Sequence, residues 1–329
     1  MLHLQGCFAL VKLHLPTDGC KLKHVDLGSS KLETVDLRSA LDLEMLDLKY
    51  CRSLVELHLP TDGCKLKHVA LGSSKLKTVD LHSALDLEML YLKYCRSLVE
   101  LHLPTDGCKL KHVDLGSSKL KTVDLHSALD LEMLYLKDCC YLVELHLPTD
   151  GFKLKHVEVS SSKLETVDLH SALDLEMLYL KDCYYLVELH LPIDGCKLKH
   201  VEVSNSKLET VDLRSGLDLE MLDLKYCRSL VELHLPTDGC KLKHVEVSSS
   251  KLETVDLHSA LDLEMLYLKD CYYLVELHLP TDGSDGCLKL TQLHCMGSKL
   301  ENLDLVLSPN LETLNPNQNK DLAILKQLF

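Results

Sequence analysis

Histidine and aspartate alternate at a fixed spacing along this chain: His14, Asp36, His58, Asp80, His102, Asp124, His146, Asp168, His190, Asp212, His234, Asp256 and His278. Three kinds of chemistry suit such a ladder. Alternating opposite charge keeps like charges from stacking on a parallel sheet. A run of metal sites would need more donors, because one His and one Asp are too few for tetrahedral zinc unless residues such as Glu56 join. A pH-responsive surface is the third, since flanking carboxylates favour the charged imidazole. With 36 basic and 50 acidic side chains the formal net charge is −14, and protonating all 19 histidines would reverse it to +5. Charge alternation is the reading preferred. No G-x-S-x-G, P-loop, G-x-G-x-x-G or H-E-x-x-H occurs, and every His–Asp neighbour recurs, whereas an active site is a singular constellation. The sequence predicts no enzyme and no cofactor.

The elements that must position this ladder follow from a repeat. "LVELHLP" begins at Leu54, Leu98, Leu142, Leu186, Leu230 and Leu274, with "LVKLHLP" at Leu10, so the period is 44 residues. Residues 54–97 divide into "LVELHLPTDGCK", "LKHVALGSSK", "LKTVDLHSALD" and "LEMLYLKYCRS", each opening L-x-x-[LV]-x-L. Apolar fourth and sixth positions around a polar fifth give the two-residue alternation of a half-buried strand. Gly, Ser, Pro, Asp and Lys between them are turn formers. One piece of ~11 residues is too short to enclose a leucine core, whereas two give a coil of ~22 residues.

"LEMLDLKYC" (Leu43–Cys51) resembles the LxxLxLxxN segment of the leucine-rich repeat superfamily, with Cys in the Asn column. A second LxxLxL in each coil is similar to the nested, IRREKO-like variety. The resemblance implies a mainly β repeat solenoid over residues 1–314, in 44-residue units starting at 10, 54, 98, 142, 186, 230 and 274, with a C-terminal cap at 315–329. Short parallel strands are expected on two faces. Most half-coils lack the ninth-position Asn, so Asp18, Ser29 and Cys51 are expected to stand in for the ladder that satisfies turn amides. Leucine-rich repeat relatives commonly bind other proteins.

On the second face His24, His68, His112, His156, His200 and His244 occupy the third motif position, and the fifth mixes Tyr91, Tyr135, Tyr179 and Tyr267 with acids. Tyr50, Tyr94 and Tyr226 lie at its edge. Rigid aromatic area with scattered charge suits a protein-binding surface, although tyrosine also simply favours strands. The candidate binding residues are therefore Tyr91, Tyr135, Tyr179, Tyr267, Tyr50, Tyr94, Tyr226, His68, His112 and His156.

Fifteen cysteines follow the repeat. Members of one column are two coils apart, beyond disulfide reach, so buried reduced thiols are expected. "PTDG" segments read as turns, and "TDGSDG" at Thr281–Gly286 resembles a calcium loop only loosely. The acidic balance argues against nucleic-acid and anionic-membrane partners. No apolar run reaches a membrane span and no secretory leader is seen, which points to the cytoplasm. Met1 aligns within a strand, an uncapped start that invites self-association. Asp321–Phe329 reads as a short helix laying Leu322, Leu325 and Phe329 over the last coil. The expected function is a non-enzymatic protein–protein interaction scaffold. The alternatives are a structural or cell-surface rod that self-associates end to end, and a pH- or metal-responsive His/Asp ladder.

Overall fold

The computed structural model describes residues 1–16, 20–280, 289–303, 305 and 308–315. The chain divides into two compact units, Met1–Leu164 and Glu165–Phe329. Each is a β-solenoid, and together they hold about 14 turns of ~22 residues. In every coil the fourth-position Val or Leu points inward between two outward residues, as in Thr78–Asp80, exposed on either side of buried Val79. The leucines that open each motif close the core, with Leu66, Leu76, Leu87 and Leu98 at most 1% exposed.

One face of the first unit is an unbroken parallel ladder of short strands from Leu2–His3 to His156–Ser160, one strand per coil. Its register stacks like on like: Val69 pairs with Leu90, and Leu90 with Val113. The second unit builds the same kind of face from Met177–Lys181 to Thr313–Asn315. Amides beyond the strand ends extend the ladder, with Leu71 N–H on Tyr91 O at 2.9 Å and Leu92 N–H on Asp114 O at 2.7 Å.

The opposite face differs. There the strands join only in twos, Thr78–Asp80 with Glu100–His102 and Thr122–Asp124 with Glu144–His146, and likewise in the second unit. Each E-L-H strand runs into L-P, and the ring of Pro fixes φ and ends the strand. The chain turns away at Pro60 or Pro104, whose carbonyls accept the hydroxyls of Ser83 (2.9 Å) and Ser127 (2.8 Å). A seam remains after every second coil, and Leu57, Leu101 and Leu145 beside it are only half-buried. The sequence pattern, identical in all four pieces, promises two equal faces; proline makes them unequal.

Where leucine-rich coils would carry an asparagine ladder, this chain stacks Ser and Cys. Ser30 Oγ and Cys51 Sγ are 3.3 Å apart, and Cys51 Sγ donates to Leu27 O at 3.2 Å. Ser74, Cys95 and Leu71 O repeat these contacts, and Ser206, Cys227 and Val203 O do so in the second unit. Cys51 occupies the expected corner, but its thiol donates to a carbonyl instead of serving a turn amide, and the serine beside it is Ser30. Ser29 instead takes the left-handed turn position, φ 63°. Asp18 lies outside the described residues, as does Thr281–Gly286.

The cysteines of the described residues are all free thiols. Burial pushes the Cys139 and Cys295 thiols up to about 11 and raises Cys95 and Cys227. Phe152 occupies one cysteine slot and is 4% exposed, so the slot asks for apolar volume rather than sulfur chemistry.

The expected C-terminal cap begins at residue 315. No helix occurs among the described residues. Thr313–Asn315 is a strand paired with Gln292–His294, so residue 315 still belongs to the sheet; the rest of the expected helical cap, 316–329, lies outside the described residues.

Burial predicts a sharp division of thiol reactivity. In the native protein iodoacetamide should modify the exposed Cys7 and Cys140 well before Cys51, Cys95 or Cys227, as read by peptide mass mapping; comparable labelling of the buried thiols would contradict the packing described. Leu90→Ala, at a site fully closed to solvent, should cost about 2–5 kcal/mol in urea unfolding.

Candidate interaction surface

The continuous face displays three outward columns. The third motif position alternates Met and His, so His112 pairs in register with Met89 on one side and Met133 on the other. The fifth position carries Tyr or an acid except at His3, Ala70, His294 and Asn315, and the seventh brings Lys49, Lys93 and Lys137 in the first unit and Lys181, Lys225 and Lys269 in the second. These lysines are a part of the surface to which the aromatic pattern does not point, although "L-x-x-L-x-L-K" recurs plainly in the sequence.

Tyrosine organises the first two columns. The His68 ring lies against Tyr91 with centroids 5.7 Å apart, and His156 against Tyr135 at 5.0 Å. In the second unit Tyr267 stacks between His244 (5.6 Å) and His294 (4.5 Å). The hydroxyls of Tyr91, Tyr135 and Tyr179 reach back to the sulfurs of Met89, Met133 and Met177 at 3.6–3.8 Å. Where Asp47 or Asp223 replaces the ring, Met45 and Met221 are uncovered, at 39% and 38% exposure. Tyr91, Tyr135, His68 and His156 thus form one surface in the first unit, and Tyr179 and Tyr267 share the equivalent face of the second.

Tyr50, Tyr94 and Tyr226 stand differently. They occupy turns in the left-handed region, φ 63°, 65° and 58°, where other coils place Ser, Asp or Asn. Those short polar residues tolerate that region, whereas a bulky side chain there is strained. About half of each ring is exposed, and Lys93 lies over the Tyr94 ring at 5.2 Å.

The His/Asp column lies on the seamed face, and the structure does not make it a continuous ladder. Asp80 and His102 are cross-strand partners, as are Asp124 and His146, and Asp168 and His190. Seams separate His58 from Asp80 and His102 from Asp124, whose strands are not paired. Side chains also choose nearer partners. Asp80, Asp124 and Asp168 accept from the residue two places on, His82, His126 and His170, whose ring Nδ1 lies at 2.6–2.7 Å and whose amide lies at 3.1 Å. His58, His146 and His190 approach Glu56, Glu144 and Glu188 of their own strands at 4.0, 3.7 and 3.5 Å. Asp212 is held by the Arg214 fork, and Arg38 holds the Asp36 carboxyl down to about 2. Among the described residues no group of three or more His, Cys, Asp or Glu side chains is placed to hold a metal ion.

An open groove of about 660 Å³ on the seamed face of the second unit is lined by His170, His190, Ile193 and Arg214 among others. Its charged groups are already paired with Asp168, Glu188 and Asp212.

Local surroundings drive three histidines in different directions. Burial lowers His68 and His156 below the ordinary 6.5, whereas the Asp124 carboxylate raises His126 above it. A raised folded value stabilises the protein below the unfolded pKa and is lost as pH rises through the folded one. A lowered value stabilises above the unfolded pKa and is lost as pH falls through the folded one. Proton NMR should therefore find His126 titrating above His68 and His156; the reverse order would contradict the geometry.

No family model matches the sequence, and no curated protein matches it. Solved structures do resemble the fold. The functional domain of InlJ from Listeria monocytogenes, described as including a cysteine ladder, aligns with a TM-score of 0.51 at 16% identity, over 89% of this chain and 62% of that one. The chain therefore spans less than two thirds of that InlJ chain's length. A leucine-rich repeat protein from Bacteroides ovatus aligns at 0.45, 16% identity, and 88% and 76% coverage. YopM from Yersinia enterocolitica gives 0.34, 16%, and 92% and 84%. With the coil length, register and inward leucines above, the first of these shows that the chain has the leucine-rich repeat fold.

Proposed function

We propose that this leucine-rich repeat solenoid is a non-enzymatic scaffold that binds another protein through its continuous face. The observation that carries the reading is the Tyr–His–Met surface bordered by strained, half-exposed tyrosines. Rings held between neighbouring coils offer contact area with little entropy left to lose on binding. Lysine and carboxylate between them supply orientation: Lys137 meets Glu158 at 2.7 Å in the first unit, and Lys181 meets Glu202 at 2.8 Å in the second. The formal charge of −14 favours a protein partner over a nucleic acid or an anionic membrane, because phosphate would be repelled. Free thiols throughout the described residues suit a reducing compartment, in keeping with a cytoplasmic location. No helix among the described residues is long and apolar enough to cross a membrane.

The test begins with photo-crosslinking residues placed at positions 91 and 135, and at 99 and 143 on the seamed face, in the protein's own cells. Crosslinks should form from the first pair. A partner identified that way should lose about tenfold or more in affinity for Tyr91→Ala/Tyr135→Ala while thermal unfolding still shows a folded protein. Crosslinking confined to positions 99 and 143, or unchanged affinity of the double variant, would overturn the proposal.

A further inference from the structure

The continuous face of the second unit contains one row that the repeat does not reproduce elsewhere in the described residues. Glu202, Asp223 and Glu246 are cross-strand partners on three successive parallel strands, so neighbouring backbones lie ~4.8 Å apart. Tyr179 precedes the row and Tyr267 follows it. Asp223 is 4% exposed, and its Oδ1 is buried with no hydrogen-bond partner. Its Oδ2 accepts from Lys225 Nζ at 2.6 Å, and the same ammonium reaches Glu246 at 2.9 Å. Lys181 takes Glu202.

The orphan oxygen has a local cause. In the first unit Asp47 Oδ1 accepts the Lys49 amide at 2.9 Å, because its strand stops at Asp47. The coils on either side of Asp47 carry "HVDLG" and "HVALG", whereas those beside Asp223 both carry "HVEVS". There all three strands run on for five residues. Lys225 then pairs in register with Ser204 and Ser248, and Asp223 loses that amide. A buried carboxylate oxygen without a donor is costly, so the site is built to gain from one. Burial, with Glu246 and Glu202 alongside, raises the Asp223 carboxyl despite Lys225. Burial alone would lower the Lys225 ammonium, but Asp223 and Glu246 hold it above its usual value.

We propose that the Glu202–Asp223–Glu246 row receives an arginine side chain of the protein partner. This deepens the reading of the continuous face as a protein-binding surface and rests on it. A guanidinium presents a planar fork that can serve both oxygens of Asp223 and still reach a glutamate, which the point charge of lysine cannot. Lys225, 36% exposed in its side chain, is the cover that swings aside and stays with Glu246. Met221, uncovered at 38% because no tyrosine lies over it, gives the arginine methylenes an apolar bed. A metal ion suits the row less, since its oxygens do not converge on one point and two lysines already stand among them.

The experiment titrates the whole chain with hexa-arginine peptide, hexa-lysine peptide and calcium alone, by calorimetry. Asp223→Tyr installs the residue that equivalent coils carry, and Asp47→Tyr makes the same change of charge in the first unit. Asp223→Tyr should weaken hexa-arginine about tenfold or more and Asp47→Tyr by less than about twofold, with hexa-lysine weaker than hexa-arginine on the unaltered chain. Asp223→Asn, nearly isosteric, should weaken it too and guards against a folding defect. Equal losses for both tyrosine variants would mean bulk charge attraction and overturn the proposal. Calcium that binds alone and displaces the peptide would overturn it in favour of a metal site. Tyr91→Ala/Tyr135→Ala should leave the peptide affinity unchanged while weakening partner binding, so failure here and failure of the broader reading give different results.

Discussion

Stacking of the inward fourth-position residue on its counterpart in the next coil is the contact on which the rest depends. Val69, Leu90 and Val113 stand in register and are closed to solvent. A slip by one residue would send this column outward and the polar fifth position inward. Because the register is fixed, every outward residue inherits neighbours of known identity from the coils before and after it. Surface columns of Met and His, Tyr and acid, and Lys are consequences of the buried one.

Stacking alone leaves turn polar groups to satisfy, and short buried side chains do this. A Ser hydroxyl from one coil and a Cys thiol from the next fill one corner, and the thiol donates to a backbone carbonyl a coil away. Proline acts in the other corner by turning the chain out of the strand. Its effect is to split one face into pairs while the other stays continuous. An unbroken face keeps its aromatic rings in fixed relation to one another, which is what a recognition surface requires. A face interrupted at every second coil instead turns its charges inward on themselves, as Asp80 does with His82 and Asp212 with Arg214.

Much of this was legible in the sequence. The L-x-x-[LV]-x-L spacing revealed the coil, the inward leucines and the outward columns, since these depend on a period of two that survives any context. Cys51 in the asparagine column was legible for the same reason. What escaped was set by single residues acting between coils. Spacing makes all four motif pieces alike, so the seam that proline opens was hidden, and with it the break in the His/Asp column. Side-chain choice was hidden too: Asp124 sits across from His146 but bonds His126, because a partner two residues along the same chain is already in place. The row of Glu202, Asp223 and Glu246 was visible as letters. Its meaning depends on the longer strands that "HVEVS" permits, a local change that composition does not reveal.

Residue-resolved amide hydrogen exchange tests the inequality of the two faces most directly. Leu71, Leu92 and Leu115 donate to carbonyls of the next coil on the continuous face, and Leu81 does so within a strand pair of the other. Leu103 follows a strand that has no partner across the seam. Slow exchange is expected at the first four amides and fast exchange at Leu103, with the same contrast at Leu59. Equal protection of Leu103 and Leu81 would mean that the second face is also continuous, and the division of roles between the faces would fall with it.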